Sequence, residues 1–530
     1  MSTEHPPGTS SATPTGTRTA TPTGTRTVTT AQGVVAGARH EGFAVFRGIP
    51  YAAPPARTGR FAAPQPHAPW QGVRDATAAG PTAPQAERNL GGIDMSPYFG
   101  PGWIPGEDYL TLDVWTPDRP APASHSGVQD LDGRHAALPV MVFVHGGGFV
   151  AGSTRASLYD GTAFARGGVV LVTVNYRLGI SGFLDLPGAP RNRGLLDVIA
   201  ALRWVRENIA AFGGDPGLVT LFGQSAGATL TGAVIAAPES RRLVRRAIVQ
   251  SGSGLGAFSP EQAARVTKAA ADALGTAPRA DAFAAVPEAR LVEATARLGG
   301  IDLRTATAYD PLVGLSPFSV VADRQPADAV AAGAGGTGID LLIGTNAEEG
   351  NLYLVPSGAH AASTAADVRA AAERSHPEPD LLVDTYRGAL PGATPGELRS
   401  AVMGDALFGK GSWALADAHA ERSSGATYSY RFDWRSGAFD GLLGATHTME
   451  LPFVFGLDPA RLRGPGALLG PGSPPPDLAP RMHAAWIRFA RTGDPGWARY
   501  DTRRRVTTVI DRRWTVHEDL RGDVRRAWMR

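Results

Sequence analysis

Leu218-Val219-Thr220-Leu221-Phe222-Gly223-Gln224-Ser225-Ala226-Gly227 is the stretch on which the fold of this chain turns. A short apolar run leads into Gly-x-Ser-x-Gly and then into small, helix-compatible residues. The pattern is that of a strand, a sharp turn with a serine at its apex, and a helix. The flanking glycines leave room around an apex residue whose backbone is strained. A serine held this way exposes its hydroxyl above a sheet, at a helix N-terminus whose partial positive charge favours a developing oxyanion. Gly and Ser also crowd ordinary turns, so it is the strand before and the helix after that single out Ser225 as a candidate nucleophile.

Outward from this turn, strand-like and helix-like runs alternate. Strands are expected at Leu138–Val144, Val169–Asn175, Leu218–Phe222, Ala247–Gln250, Leu341–Gly344 and Thr427–Trp434. Between them, Gly194–Phe212 carries Leu195, Val198, Ile199, Leu202 and Val205 at helical spacing. A further helix starts after Ser259, with Pro260 at its first position and Gln262 completing a capping box. Strands alternating with helices imply an α/β fold, a mostly parallel sheet flanked by helices. Functional groups then gather beyond the C-terminal ends of the strands.

His145-Gly146-Gly147-Gly148-Phe149 follows the Leu138–Val144 strand. Three successive glycines let a backbone wrap closely around a small anion and turn N–H groups toward it, as an oxyanion hole requires. A flexible turn is the plain alternative, but the place after a buried strand and before the serine turn favours the oxyanion loop.

A serine nucleophile needs a base, and the base needs an orienting acid. Of the twelve histidines, His447 follows the Thr427–Trp434 strand region by a loop, where a general base belongs. His145 is part of the glycine loop and reads as loop-shaping, while His419 and His483 sit in helix-like segments. For the acid, Leu341-Leu342-Ile343-Gly344-Thr345-Asn346-Ala347-Glu348-Glu349-Gly350 offers two carboxylates just past a buried strand, and spacing does not choose between them. The chain order serine, acid, histidine matches that of the α/β-hydrolases.

Composition sets the outer bounds. The 530 residues carry a net charge of +2, with 43% hydrophobic and 19% charged residues, as in ordinary globular proteins. That balance speaks against a nucleic-acid or polybasic membrane partner, and no apolar run reaches the length of a membrane span. Cysteine is absent, which excludes disulfides, thiolate metal sites and cysteine nucleophiles. The first thirty residues are poor in apolar side chains, and Ala12–Thr19 and Ala20–Thr27 are the same eight letters, ATPTGTRT. Residues 1–30 are therefore expected to be a disordered Thr/Pro/Gly-rich tail, and residues 31–530 one catalytic domain. Lacking the apolar core of a secretory signal as well as cysteine, the chain is expected in the cytoplasm. Its oligomeric state is not legible.

From about Gly33 to the C-terminus the chain resembles the type-B carboxylesterase and cholinesterase-like branch of the α/β-hydrolases. Several stretches carry the resemblance: Arg47-Gly48-Ile49-Pro50-Tyr51-Ala52, Glu107-Asp108-Tyr109-Leu110-Thr111-Leu112-Asp113-Val114, the HGGGF loop, and Asn175-Tyr176-Arg177-Leu178-Gly179. Gly194-Leu195-Leu196-Asp197, Phe212-Gly213-Gly214-Asp215-Pro216 and Phe489-Ala490-Arg491-Thr492-Gly493-Asp494-Pro495 add to it. The resemblance implies Ser225 as nucleophile, Glu349 as the acid (the residue directly before glycine in the family's Asp-Glu-Gly motif) and His447 as the base. It further implies oxyanion donors at the backbone N–H groups of Gly147, Gly148 and Ala226, with Gln224, Ser251 and Glu450 supporting them.

Two departures from the family pattern stand out. Gln224 occupies the place where glutamate is common, which removes a negative charge beside His447 and disfavours cationic esters. Tyr109 replaces the cysteine of the family's disulfide-closed loop, so Asp94–Pro105 is expected to be held by packing alone, with Tyr98, Phe99 and Trp103 as possible aromatic walls. Alanine-rich, helix-like insertions near residues 258–326 and 359–426 are expected to cap the site, and Arg463–Pro480 to be a surface loop. Phe149, Phe408, Trp413 and Phe453 are candidates for its lining or for plain core. The expected activity is hydrolysis of small to medium, largely apolar, uncharged carboxylic esters through an acyl-enzyme, with no metal or cofactor. An amidase, carbamate or thioester hydrolase of the same fold and a non-catalytic binding module are the alternatives.

Overall fold

The computed structural model describes residues 21–118 and 137–530. Thirteen strands among them form one sheet. In chain order they are β1 (Gly24–Thr30), β2 (Gly33–His40), β3 (Phe43–Pro50), β4 (Val73–Ala76), β5 (Thr111–Pro117), β6 (Leu138–Val144) and β7 (Val170–Val174). There follow β8 (Gly214–Gln224), β9 (Arg246–Gln250), β10 (Asp340–Asn346), β11 (Thr427–Phe432), β12 (Thr507–Ile510) and β13 (Thr515–His517). The order across the sheet is β1-β2-β3-β5-β7-β6-β8-β9-β10-β11-β12-β13, with β4 beside β2. From β7 through β12 every neighbouring pair is parallel, and antiparallel pairs flank that block.

The central strands β6 and β7 are almost wholly apolar because both faces are covered. On β6, Val140, Val142 and Val144 join one core cluster while Met141 and Phe143 join another. Since successive side chains of a strand point to opposite faces, the two clusters lie on opposite sides of the sheet. The first is covered by the helices Arg193–Asn208 and Ala226–Ala236, and the second by Leu478–Thr492 through Trp486 and Phe489.

The helix expected over Gly194–Phe212 runs from Arg193 to Asn208 and tightens into a 3-10 turn at Ile209–Phe212. The capping box forms: the Gln262 backbone N–H donates to Ser259 Oγ at 3.2 Å, and the Ser259 N–H donates to Gln262 Oε1 at 2.9 Å. Two family-like segments meet in a buried ion pair, Arg177 with Asp197 at 2.7 Å, whose guanidinium also donates to the carbonyls of Arg60 and Ala62.

Three expectations change. The tail does not extend to residue 30: β1 pairs along its full length with β2 and buries Val28 and Thr30. Threonines at alternating positions suit a pleated, half-buried strand, and this outweighs the low apolar content. Residues 1–20, including the start of the repeat, lie outside the described residues. The loop expected over Arg463–Pro480 ends where the helix begins at Leu478. Finally, Asp94–Pro105 is held by hydrogen bonds as well as packing: the Asp94 N–H donates to the Gly466 carbonyl, the Ile104 N–H to Thr82 Oγ1, and Tyr98 Oη to Gln224 Oε1. Tyr109 is buried against the core.

The segment from 258 to 326 lays its helices Pro260–Leu274 and Glu288–Arg297 on the first core cluster. Between 359 and 426 the helices Ala365–Ser375, Pro379–Ala389 and Pro395–Gly404 build a separate apolar cluster that also takes in Val524 and Trp528.

Candidate active site

Ser225 stands between β8 and the helix Ala226–Ala236 with φ 58° and ψ −124°, a combination L-residues avoid. The strain is held by packing. A Cβ on Gly227 would lie 2.0 Å from the Val144 carbonyl oxygen, so only glycine lets the helix start this close to β6. The Ser225 N–H donates to the Gln250 carbonyl at 2.9 Å, and its own carbonyl accepts from the Thr229 N–H at 3.0 Å. Its hydroxyl makes no hydrogen bond among the described residues and faces a cavity.

The glycine loop rises from the C-terminal end of β6 into the same cavity. Gly147 has φ 109°, and a Cβ there would meet the Ala151 carbonyl at 1.9 Å. The Gly147 carbonyl accepts from the N–H groups of Val150 and Ala151, and the Gly148 carbonyl accepts from Ser316 Oγ at 2.6 Å. With both carbonyls tied back, the N–H groups of Gly147 and Gly148 donate to no acceptor among the described residues. The Ala226 N–H opens its helix and so has no intrahelical partner. Gly147, Gly148, Ser225 and Ala226 line one cavity wall.

His447 lies on the loop after β11, buried with its ring toward that cavity. Its Nδ1 is 2.7 Å from Glu349 Oε2. The other carboxylate oxygen of Glu349 accepts from Ser251 Oγ at 2.6 Å and from the Asn346 N–H at 2.7 Å. With these three partners the carboxylate is fixed in direction, and it fixes the imidazole with Nδ1–H as donor. The neighbouring glutamate takes another course: Glu348 pairs with Arg435 and accepts from the Ala445 N–H at 2.8 Å. The turn after β10 sends Glu349 inward to His447 and Glu348 outward to Arg435.

The Nε2 face of His447 lies 3.3 Å from the amide nitrogen of Gln224. Tyr98 Oη donates to Gln224 Oε1 at 2.6 Å, which orients the amide with its nitrogen toward the imidazole. Phe408 stacks on the other side of the ring, centroids 4.3 Å apart and planes 8° from parallel. It is carried by the π-helical turn Asp405–Gly409, which joins Pro395–Gly404 to Lys410–Arg422. Asp405 anchors that turn through Tyr386 and Arg521. Glu450 does not touch the imidazole. It lies behind it, accepting from Gln250 Nε2 at 3.2 Å and Asn346 Nδ2 at 2.7 Å. Burial, and then the charge of Glu349, push its carboxyl up to about 7.

The remaining candidates divide. Phe149, Phe408, Tyr98 and Phe99 line the cavity. Trp413 packs against the helical insertion's own cluster and Phe453 against Phe432 and Trp434, and Trp103 also lies away from the cavity. His145 donates from Nδ1 to the Gly146 carbonyl and stacks on Tyr176, and burial holds it neutral, near pKa 4. Sequence reasoning missed Tyr98 as a partner of Gln224, along with Asn346, Gln250 and Arg88. Asn346 stood in a quoted motif, but its contacts with Glu349 and Glu450 depend on how the chain turns after β10.

A strained serine at a strand–helix turn, unpaired loop amides beside it and a carboxylate-held imidazole in the same cavity define a serine hydrolase of the α/β-hydrolase fold. The sequence model of the Carboxylesterase family matches residues 24–517, and the chain belongs to that family. A para-nitrobenzyl esterase of Bacillus subtilis is 35% identical over 514 residues, 94% of this chain and 97% of that one. A phenmedipham hydrolase of Pseudarthrobacter oxydans is 36% identical, covering 88% and 90%. Among solved structures, a Geobacillus stearothermophilus carboxylesterase superposes with a TM-score of 0.78 at 34% identity, covering 95% of this chain and 99% of that one. The protein is a carboxylic-ester hydrolase. No helix among the described residues is long and apolar enough to cross a membrane.

Proposed function

We propose that Ser225 is the nucleophile, His447 the general base and acid, and Glu349 the residue that orients and stabilises the imidazolium. The observation that carries this reading is the shared cavity, which has the Ser225 hydroxyl on its floor and the Glu349-held imidazole in its wall. Ser225 Oγ adds to the ester carbonyl while His447 Nε2, turning from the Gln224 amide, takes the hydroxyl proton. The oxyanion is received by the N–H groups of Gly147, Gly148 and Ala226. The C–O bond breaks, and the alcohol leaves with the proton from His447. Water then attacks the acyl-enzyme by the same relay and frees the acid.

The substrate class we assign is small to medium, largely apolar esters, uncharged ones included. The cavity wall is chiefly aliphatic and aromatic, and behind it Gln224 is a buried neutral amide where a glutamate would add a negative charge. Leu312 and Leu315 from the first insertion and Leu407 and Phe408 from the second reach this wall, which supports assigning both segments to a cap over one catalytic domain.

A fluorophosphonate probe should label Ser225 in the folded protein, and Ser225→Ala should lower kcat on p-nitrophenyl butyrate by roughly 10⁴–10⁶-fold. Near wild-type turnover in that variant would refute the assignment. p-Nitrophenyl esters of graded acyl length, a matched amide and phenmedipham run beside it would set the range.

A further inference from the structure

Arg88 stands in the wall of the same cavity, against the glycine loop. Its Nη1 donates to the Gly147 carbonyl at 3.0 Å and lies 2.7 Å from where a Cβ on Gly148 would sit. Its guanidinium carbon is 5.8 Å from the centre of the Phe99 ring. No carboxylate among the described residues pairs with it, and the groups that feel its charge are the phenols of Tyr353 and Tyr98. Glu349, the acid that holds His447, has its oxygens occupied by His447, Ser251 and Asn346.

Two fully buried arginines show the contrast with Arg88, which is partly exposed. Arg177 is matched to Asp197, and Arg193 donates to the carbonyls of Ser181, Pro190, Ile180 and Leu184. A guanidinium has five N–H donors in a fixed fork, and Arg88 commits only Nη1. Bracing the loop does not account for it, since the Gly147 carbonyl already accepts from two backbone N–H groups. Arg88 is partly withdrawn from water without a counter-ion, and that partial burial lowers its proton affinity. A carboxylate on the bound ester would supply the missing partner in bidentate geometry.

We propose that Arg88 is a carboxylate-reading residue that extends the substrate range from uncharged esters to esters carrying a carboxylate within reach of its guanidinium. The proposal rests on Ser225 being the nucleophile. Arg88 positions the substrate and takes no part in bond making.

The test compares each carboxylate ester with its neutral amide isostere in two arms. In the acyl arm these are p-nitrophenyl hydrogen adipate and p-nitrophenyl adipamate. In the alcohol arm they are 4-carboxyphenyl butyrate and 4-carbamoylphenyl butyrate. The readout is the acid-over-amide ratio of kcat/KM, which cancels any effect of the variant on shared machinery. Arg88→Gln should lower that ratio by about ten- to a hundredfold, chiefly through KM, in the arm whose carboxylate meets the guanidinium. A fall of less than tenfold in both arms overturns the proposal. If Arg88→Gln does not fold, Arg88→Lys decides. It keeps the charge but loses the fork, and it should lower the ratio at least threefold in one arm; an unchanged ratio overturns the proposal. Ser225→Ala with the amide isosteres keeps the two readings apart: surviving turnover there sinks the nucleophile assignment, whereas Ser225-dependent turnover with an unmoved ratio sinks Arg88 alone.

Discussion

The amide nitrogen of Gln224 lies 3.3 Å from Nε2 of His447, on the ring edge that takes the serine proton in the mechanism we propose. Tyr98 locks the amide in that orientation, so the ring is offered a donor and no countercharge there. Gln224→Glu reverses this. A carboxylate at the same spot stabilises the protonated ring, and the acidic limb of the kcat/KM–pH profile should move to higher pH by about one unit or more. An acidic limb that stays in place would show that the Gln224 contact does not reach the proton-transfer step.

Glu349→Gln keeps the shape of the acid but removes its charge and offers an amide to Nδ1. The ring then loses its fixed tautomer, and kcat on p-nitrophenyl butyrate should fall by about 10⁴-fold. Glu348→Gln, next door but paired with Arg435 at the surface, serves as the contrast and should cost less than threefold. Equal losses in the two variants would undo the assignment of Glu349.

Glu450 makes stability depend on pH. Its carboxyl is raised from 4.5 to about 7 in the folded protein, so between those values the native state holds a proton that the unfolded chain has released. Stability therefore falls as pH rises from 4.5 to about 7 and then levels off. Glu450→Gln cannot lose that proton. Its stability relative to wild type should improve by on the order of 1–3 kcal/mol between pH 5 and pH 8. Urea unfolding of both proteins at the two pH values measures the swing, and no swing would place the carboxyl in its ordinary range.

Asp197→Ala strips the buried Arg177 guanidinium of its countercharge while leaving the fold around it closed. Breaking a buried pair from one side should cost about 3–5 kcal/mol, read as a lower urea midpoint. A loss below about 1 kcal/mol would mean that water reaches the arginine.

The legible parts of this molecule are those where one local signal suffices. The strands β6 and β7, with residues 219–222 of β8 and 341–343 of β10, announce themselves as apolar runs because both of their faces are buried, and the Ser259 capping box needs only four residues. β1 was hidden because threonine, glycine and arginine suit both a floppy tail and an edge strand, and only pairing with β2 decides. Glu348 and Glu349 are chemically the same, and the carbonyl and N–H directions of one turn separate them. Tyr98 with Gln224, and Phe408 with His447, join residues far apart in the chain, so no window of sequence contains both members. Arg88 was illegible for a related reason: one arginine among many draws notice only when the structure shows that no acid answers it.

Phe408 belongs to the helical insertion, yet its ring lies flat on the imidazole at 4.3 Å. The insertion we propose as a cap is therefore mechanically joined to the group we propose as the proton shuttle. Repacking the interior of that insertion around Leu382 and Val402 would be felt at His447 through the π-turn, without any change in the pocket's lining. Selection for a new ester would have to reshape the entrance while keeping one aromatic ring still.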